Sequence, residues 1–323
     1  MSIAERLAAE ERSTQQSISV DLSAVIVTVD DEQPKVLAIR TDKADALPFG
    51  PLEPRHRTLE AGLRAWVETQ TRQTLGYVEQ LYTFGDSGRS AATGANTRSL
   101  SIGYLALVPE AQPPGTPDAE WRNWYRYFPW EDWRNGRPPI LDEIAAGLKA
   151  WVAQAEDASQ RRLREARVRR TFGNRNRPWN EEPVLDRYEL LYEAGLVPEA
   201  HRDGRKTSGK PISAGEPMFA DHRRILATAI TRLRGKIKYR PVVFELMPEM
   251  FPLLHLQRTV EALAGVRLHK PNFRRLVEGQ GLVEDTGAYT TETGGRPARL
   301  VRFRSEALLE GMTGGIRLPV VRS

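Results

Sequence analysis

The 323-residue chain contains no cysteine. Disulfide frameworks, thiolate zinc sites and cysteine nucleophiles are excluded together, and a reducing compartment fits. Histidine is scarce too. The five residues, at 56, 201, 222, 255 and 269, show no H-x-x-x-H or H-E-x-x-H spacing, so no metal site is expected. No run approaches 18 consecutive apolar residues, and Met1 to Ser19 is a charged and polar lead-in without the apolar core of a signal peptide. A cytoplasmic chain with no membrane partner is expected. The G-x-S-x-G elbow and a G-x-G-x-x-G after a strand are both missing, so hydrolase and dinucleotide-fold signals are absent and no cofactor is expected. Gly204 to Lys210 copies G-x-x-x-x-G-K, but Pro211 stands where the magnesium-holding Ser or Thr belongs, and no apolar strand precedes it.

What is present is a globular composition of 28% charged and 40% apolar residues, with seven Trp and nine each of Tyr and Phe. The length suits two domains. The net charge of +5 is unevenly shared: residues 221–323 carry 18 Lys and Arg against 10 Asp and Glu, whereas residues 1–220 carry 29 against 32. The C-terminal third is built for a polyanion and the remainder is not.

The first part reads as α+β. Two Val/Ile-rich strands from Asp21 to Arg40 flank the polar turn Asp30 to Pro34. A Pro/Gly turn at Leu47–Leu52 follows, then an amphipathic helix from Leu59 ending before Gly76, and a strand from Ser99 to Val108. Asp118 to Trp133 holds four tryptophans and three further aromatics, which suit a core rim better than a base-stacking platform. Helices are expected at 141–155 and 186–195 around the arginine-rich run Arg161 to Arg177, and 201–217 reads as a mobile polar linker. Asp221 is placed to cap a long helix ending at Gly235, with Ile225, Leu226, Ala229, Ile230 and Leu233 on its apolar face. Leu253 to Ala264, stopped by Gly265, and Lys270 to Gly279, with Pro271 in its first turn, precede two strands around a Gly-rich turn. That order is a winged helix-turn-helix. The division expected is a lead-in 1–19, an α+β domain 20–155, a basic helical insertion and linker 156–217, a connecting helix 218–238, a winged helix 239–306 and a tail 307–323.

In a winged helix the second helix enters the major groove and the hairpin lies along the phosphates. Lys270, Asn272, Arg274 and Arg275 on that helix, with Arg296 at the hairpin tip and Arg299 behind it, are the candidate DNA contacts, because Arg pairs with guanine and Asn with adenine in two-bond geometry. Phe273, Leu276 and Val277 supply the inward face.

The order strand, LPFG, helix, EQLYTFGDSGR and TRSLSIGYLALV resembles a Nudix-type domain. A working Nudix box has the spacing G-x5-E-x7-R-E-U-x-E-E-x-G-U, whose glutamates hold magnesium. With Gly76 as its last glycine, Thr69 and Gln70 replace Arg-Glu, Gln73 and Thr74 replace Glu-Glu, and the loop from Gly50 is five residues too long, so the hydrolytic site is lost. DHRRILATAITRLRGKIKYRPVVFELMP, LQRTVEALAG, NFRRLVEGQGLVEDTG and GGRPARLVRF resemble the connecting helix and winged helix of the Nudix-related transcriptional regulators of NAD metabolism, NrtR and its longer relatives of the NadQ group. Pro252 and Pro271 depart from the pattern at two helix starts.

The resemblance implies a dimeric repressor of NAD synthesis or salvage genes that binds a palindromic operator. Its catalytically inactive Nudix-like domain would sense ADP-ribose, NAD or ATP. Arg40, Arg89 and Arg98 are the candidate effector arginines, since guanidinium forks match phosphate oxygens without a cation. The rival is a Nudix hydrolase with an accessory domain, which would need a carboxylate cluster where only Glu60 and Glu68 stand. An RNA-binding protein would need stacking aromatics on the basic domain.

Overall fold

The computed structural model describes residues 17–86, 97–173, 179–205, 212, 214–291 and 297–304. The first unit is built on β1 (Ser17–Asp30) and β2 (Gln33–Arg40), antiparallel about a turn in which Asp31 and Glu32 both adopt positive φ, 49° and 56°. A two-residue hairpin turn of this hand needs that geometry, which acidic side chains tolerate better than branched ones. Short β3 (Asp45–Ala46) and β4 (Phe49–Pro51) lead to α1 (Leu59–Thr71), followed by β5 (Tyr77–Phe84), β6 (Thr97–Leu107) and β7 (Ala119–Asn123). The sheet order is β3-β2-β1-β6-β5, with β1 parallel to β6, β4 against β1 and β7 against β2. β1 starts at Ser17, four residues ahead of the expected strand, while β5 and β7 were not separately anticipated.

Alternation along β1 sends Leu22, Ala24 and Ile26 to a core with Leu63 and Val67 of α1, and Val25 and Val27 to a second, larger core on the other face. Thr58 caps α1, its hydroxyl accepting from the Ala61 N–H at 3.0 Å. The helix stops at Thr71 because Arg72 turns left-handed, φ 57°.

The middle of the chain packs onto the second face. Two short turns, Trp124–Arg126 and Pro129–Glu131, precede α2 (Ile140–Ala153), α3 (Ala158–Phe172), α4 (Val184–Glu193) and α5 (Pro198–Arg202). Trp124, Tyr127, Phe128 and Trp130 are wholly buried, so these rings are core and cannot stack a base. The linker reading of 201–217 fails at both described ends. Residues 201–202 belong to α5, Ala214 is buried, and Glu216 holds Arg126 in a two-bond pair at 2.8 Å. Most of the Gly204–Lys210 run lies outside the described residues.

The connecting helix α6 (His222–Tyr239) buries the five predicted apolar positions, with two corrections. Asp221 makes no side-chain cap bond and instead pairs with Arg224 at 3.4 Å. Gly235 does not end the helix: buried Ile237 continues the apolar face, while Lys236 and Lys238 pair with Glu79 and with Glu181 and Glu182. Tertiary contacts outweigh the roughly 1 kcal/mol that glycine costs in a helix. Beyond it, β8 (Phe251–Pro252), α7 (Leu253–Ala264), α8 (Lys270–Gly279), β9 (Val283–Thr290) and β10 (Ala298–Phe303) form a winged helix, its small sheet ordered β8-β10-β9. Gly265, φ 72°, closes α7 as expected, and Pro252 serves both as the residue before α7 and as a partner of Leu300. Among the described residues, no helix is long and apolar enough to cross a membrane.

One buried carboxylate joins these units. Glu131 accepts from Arg187 at 2.6 and 2.8 Å and from Arg234 at 2.7 Å, all three side chains being 0–1% exposed. Arg234 also donates to the Leu263 carbonyl at 2.9 Å, and Trp133 N–H to the Gly265 carbonyl at 2.7 Å. Nearby, Arg223 is fully buried against Glu199 at 3.2 Å, and His222 accepts the Leu47 N–H on Nδ1 at 3.0 Å. Burial, with Arg202 nearby adding to it, pushes the His222 imidazole down to about 3.

Two outcomes are expected. Glu131→Ala strands two guanidinium groups and should destabilise the fold by about 3–5 kcal/mol in denaturant unfolding. His222 stays neutral in the folded chain but takes up a proton near pH 6.5 once unfolded. Stability should therefore fall as pH drops from about 6.5 towards 3, by up to about 1.4 kcal/mol per pH unit, and His222→Gln should flatten that slope.

Candidate nucleic-acid interface and effector cleft

Helix α8 is amphipathic in a way that sorts its residues by role. Phe273 and Val277 are buried, Leu276 is half-buried, and Lys270, Asn272, Arg274 and Arg275 are all exposed. Pro271 sits in the first turn, where its missing N–H is harmless. Arg275 donates to Asn272 Oδ1 at 2.7 Å, so the two base-reading side-chain types are held together one turn apart. Lys270, Arg274 and Glu278 border two adjoining grooves of about 640 and 480 Å³, and the second is completed by Pro252, Pro297 and Arg299 of the winged-helix sheet region. Arg299 is exposed on β10 and pairs with Asp285 at 3.0 Å and Glu278 at 3.7 Å, which ties the wing to α8. Four of the six predicted DNA contacts, Lys270, Arg274, Arg275 and Arg299, thus line these adjoining grooves, and Asn272 is joined to them through Arg275. Arg296 lies outside the described residues.

Sequence reasoning missed two further arginines of the winged helix, half-buried Arg258 and exposed Arg267. Arg258 and Arg267 reach the β1–β2 turn at Glu32, at 3.4 and 3.6 Å, while Arg267 also holds Glu261 at 2.8 Å. They mark where the two domains touch.

Of the three candidate effector arginines, only Arg40 has a described side chain. Arg40 is exposed at the end of β2 and pairs with Glu120 of β7 at 3.1 Å. Arg98 stands opposite Ile18 in the β1–β6 register, its side chain outside the description, and Arg89 lies wholly outside it. A cleft of about 220 Å³ opens elsewhere, between β1, β6 and the start of α6. Asp21, Ser23, Ser99 and Ser101 form its floor, because the parallel register sets Ser19 beside Ser99 and Asp21 beside Ser101 on one face. Ser99 donates to Asp21 Oδ2 at 2.7 Å, and the buried Ser19 hydroxyl has no hydrogen-bond partner among the described residues. Phe49 and Phe219, stacked with centroids 5.4 Å apart, and His222, edge-on to Phe49 at 4.9 Å, form the lid. The period-two Ser and Asp positions within otherwise apolar strands were the available signal.

The box register needs correction. Left-handed Arg72, not Gly76, occupies the helix-ending position that the last glycine of a Nudix box fills. Moving the register back four residues leaves the loop from Gly50 only one residue too long: Pro51 and Arg57 then take the first glycine and glutamate positions, Ala65-Trp66 the Arg-Glu, and Thr69-Gln70 the Glu-Glu. Trp66 lies over Gly50, where a Cβ would collide with its ring, and donates to the Pro51 carbonyl at 2.9 Å. Gln70 is stapled to the Phe49 backbone at 3.0 and 2.8 Å. An indole and an amide committed to backbone bonds do not fit a magnesium site, which needs carboxylate oxygens. Glu60 is paired with Arg64 at 2.8 Å, and among the described residues no three acidic or His side chains converge as metal ligands.

Known proteins agree with this architecture. Residues 243–303 match the family described as the NrtR DNA-binding winged helix domain. The chain is 40% identical over 83 residues to an ADPR responsive transcriptional repressor, NtrR, of Acinetobacter baylyi; the match takes in 26% of this chain and about a third, 33%, of that relative's length. The Shewanella oneidensis NrtR structure complexed with a 27mer DNA superposes with a TM-score of 0.54 at 22% identity over 93% of this chain and 99% of that one. A MutT/nudix family protein of Enterococcus faecalis gives 0.52 at 14% identity over 94% of both. Residues 243–303 therefore form an NrtR-type DNA-binding winged helix, and the chain as a whole has the NrtR-like fold, a Nudix-like domain joined by a long helix to that winged helix.

Proposed function

We propose that the chain is a transcriptional repressor that binds double-stranded DNA through α8 and the wing and is controlled by an adenine nucleotide, ADP-ribose first and NAD or ATP second. The carrying observation is the exposed Lys270, Asn272, Arg274 and Arg275 set on a helix of the NrtR winged-helix family. The ADPR-responsive relative supports the choice of effector. The genes controlled are those of NAD synthesis or salvage, and the operator is a palindrome bound by a homodimer in the cytoplasm.

The effector reading places the nucleoside in the cleft under Phe49 and Phe219, with ribose hydroxyls towards Asp21 and the serines, and keeps Arg89 and Arg98 as the candidate phosphate ligands. That cleft touches both the sheet and the first turn of α6. A ligand that favours one seating of Phe219 and His222 over another shifts the population of α6 arrangements, and with it DNA affinity. The hydrolase alternative has less support, because Trp66 and Gln70 leave the box without its carboxylates.

Four outcomes test the reading. Full-length protein should retard a duplex from its own promoter region, and ADP-ribose should change that binding. Arg275→Ala and Arg296→Ala should each weaken it by about 1–3 kcal/mol; unchanged affinity in both would remove α8 as the reading helix. In calorimetry with ADP-ribose, Asp21→Asn and Arg98→Ala should each weaken binding about tenfold, ~1.4 kcal/mol, whereas Arg40→Ala, whose guanidinium is held by Glu120, should leave it within about twofold. Magnesium-dependent cleavage of ADP-ribose or NAD should stay at background; turnover abolished by Glu60→Gln or Glu68→Gln would restore the enzyme reading.

A further inference from the structure

Helix α3 carries six arginines, at 161, 162, 164, 167, 169 and 170, against one acid, Glu165. Arginines retained for stability should be paired with neighbouring elements, and here two are. Arg167 pairs with Glu193 of α4, and Arg164 lies 4.4 Å over the Trp151 ring while donating to the Trp151 carbonyl at 2.6 Å. Among the described residues Arg169 pairs with Glu165 of its own helix, at 3.6 Å, with both side chains about half exposed. Arg161, Arg162 and Arg170 are exposed and form no ion pair among the described residues. Surplus positive charge concentrated on one solvent face destabilises a folded chain unless a polyanion shares it.

The helix also lacks what a protein or membrane partner would need. Its apolar residues do not gather on one outer face; Leu163, 69% exposed, stands alone between Arg162 and Arg164. Guanidinium groups without a greasy stripe suit phosphate oxygens. From Arg161 to Arg170 the helix rises about 13 Å at ~1.5 Å per residue, a length over which duplex DNA presents several phosphate charges.

Position supports the same partner. The α3 end is fixed to the winged helix by a short chain of bonds: the Thr171 carbonyl accepts from Arg187 at 3.0 Å, Arg187 holds Glu131, Glu131 holds Arg234, and Arg234 donates to Leu263 near the end of α7. Trp133, beside Glu131 in sequence, donates to Gly265 in the turn between α7 and α8. The C-terminal end of the arginine helix is therefore joined to the helix-turn-helix through four bonds, the middle two of them buried ion pairs.

We propose that α3 is a second DNA contact, a sequence-independent clamp on phosphates flanking the site that α8 reads. It rests on the DNA-binding reading above and extends that reading to a region outside the winged helix. The ligand is the phosphodiester backbone, and Arg161, Arg162, Arg169 and Arg170 hold it.

The test uses the full chain and a duplex selected by it from a random-sequence pool, prepared in a trimmed form and in one extended by about ten base pairs, one helical turn, on each side. Wild type should bind the extended duplex about tenfold more tightly at low salt. The triple variant Arg161→Glu, Arg162→Glu, Arg170→Glu should lose that gain, bind the trimmed duplex within about twofold of wild type, and show a slope of log affinity against log salt shallower by about 3 per chain, at ~0.9 per phosphate contact. The triple Lys variant should keep most of the gain, since charge is retained. Equal gains on extension for wild type and the Glu variant, or equal losses on both duplexes, would overturn the clamp while leaving the winged-helix reading intact. Failure of wild type to select any duplex would overturn the DNA reading itself. A circular-dichroism melt matching wild type confirms that the Glu variant is folded, as its exposed positions lead one to expect.

Discussion

Two buried guanidinium groups sharing one buried carboxylate set the terms for the rest of this molecule. Removed from water, neither Arg187 nor Arg234 is tolerable without Glu131, and Glu131 is tolerable only with both. The three residues come from α4, from the connecting helix α6 and from the aromatic turn after β7. Arg234 further engages the end of α7. A geometry this demanding leaves one docking of the winged helix on the middle of the chain, which a purely apolar contact of similar size would specify less sharply.

That constraint gives the connecting helix unequal ends. Its first turn lies at the cleft, with His222 and Phe219 packed around Phe49, while Arg234, twelve residues or about 18 Å further along, is locked into the buried pair. A displacement at the cleft cannot be absorbed by slippage at the far end. It must be transmitted as a movement of the helix with the winged helix attached, or resisted. The contact of Glu32 with Arg258 and Arg267 adds a second point at which the effector-side hairpin touches the DNA-side helices.

The altered box is held by side-chain bonds to backbone. Its loop and helix are within one residue of the length of a Nudix box, and the positions where that spacing calls for glutamates stitch the loop to the sheet: Trp66 bonds to Pro51 and Gln70 to Phe49. Phe49 is also a wall of the cleft. Gln70, at a box glutamate position, thus fixes one side of the cleft.

Much of the fold was legible because it is local. The β1–β2 hairpin, the apolar face of α6, the start and stop of α7 at Leu253 and Gly265 and the whole of α8 follow from periodicity, turn chemistry and a glycine cap, all contained within about ten residues. The misreadings share a cause. The expected helix end at Gly76 gives way to left-handed Arg72, the expected stop at Gly235 to Ile237 and two lysines that carry α6 onward, and the expected Asp221 cap to a pairing of its carboxylate with Arg224. In each, a contact distant in sequence or a tolerated strain outweighed a local preference. The basic α8 face was readable because one helix carries all of it. The cleft was not, because Asp21, Phe49, Ser101 and His222 meet only when a parallel strand register and a helix from 200 residues away are assembled. Composition and pattern by themselves determined that a basic winged helix follows an α+β domain; only tertiary packing decided where the cleft lies and how the winged helix is joined to the rest of the chain, since both depend on burying charges and aromatic rings that no local segment can satisfy alone.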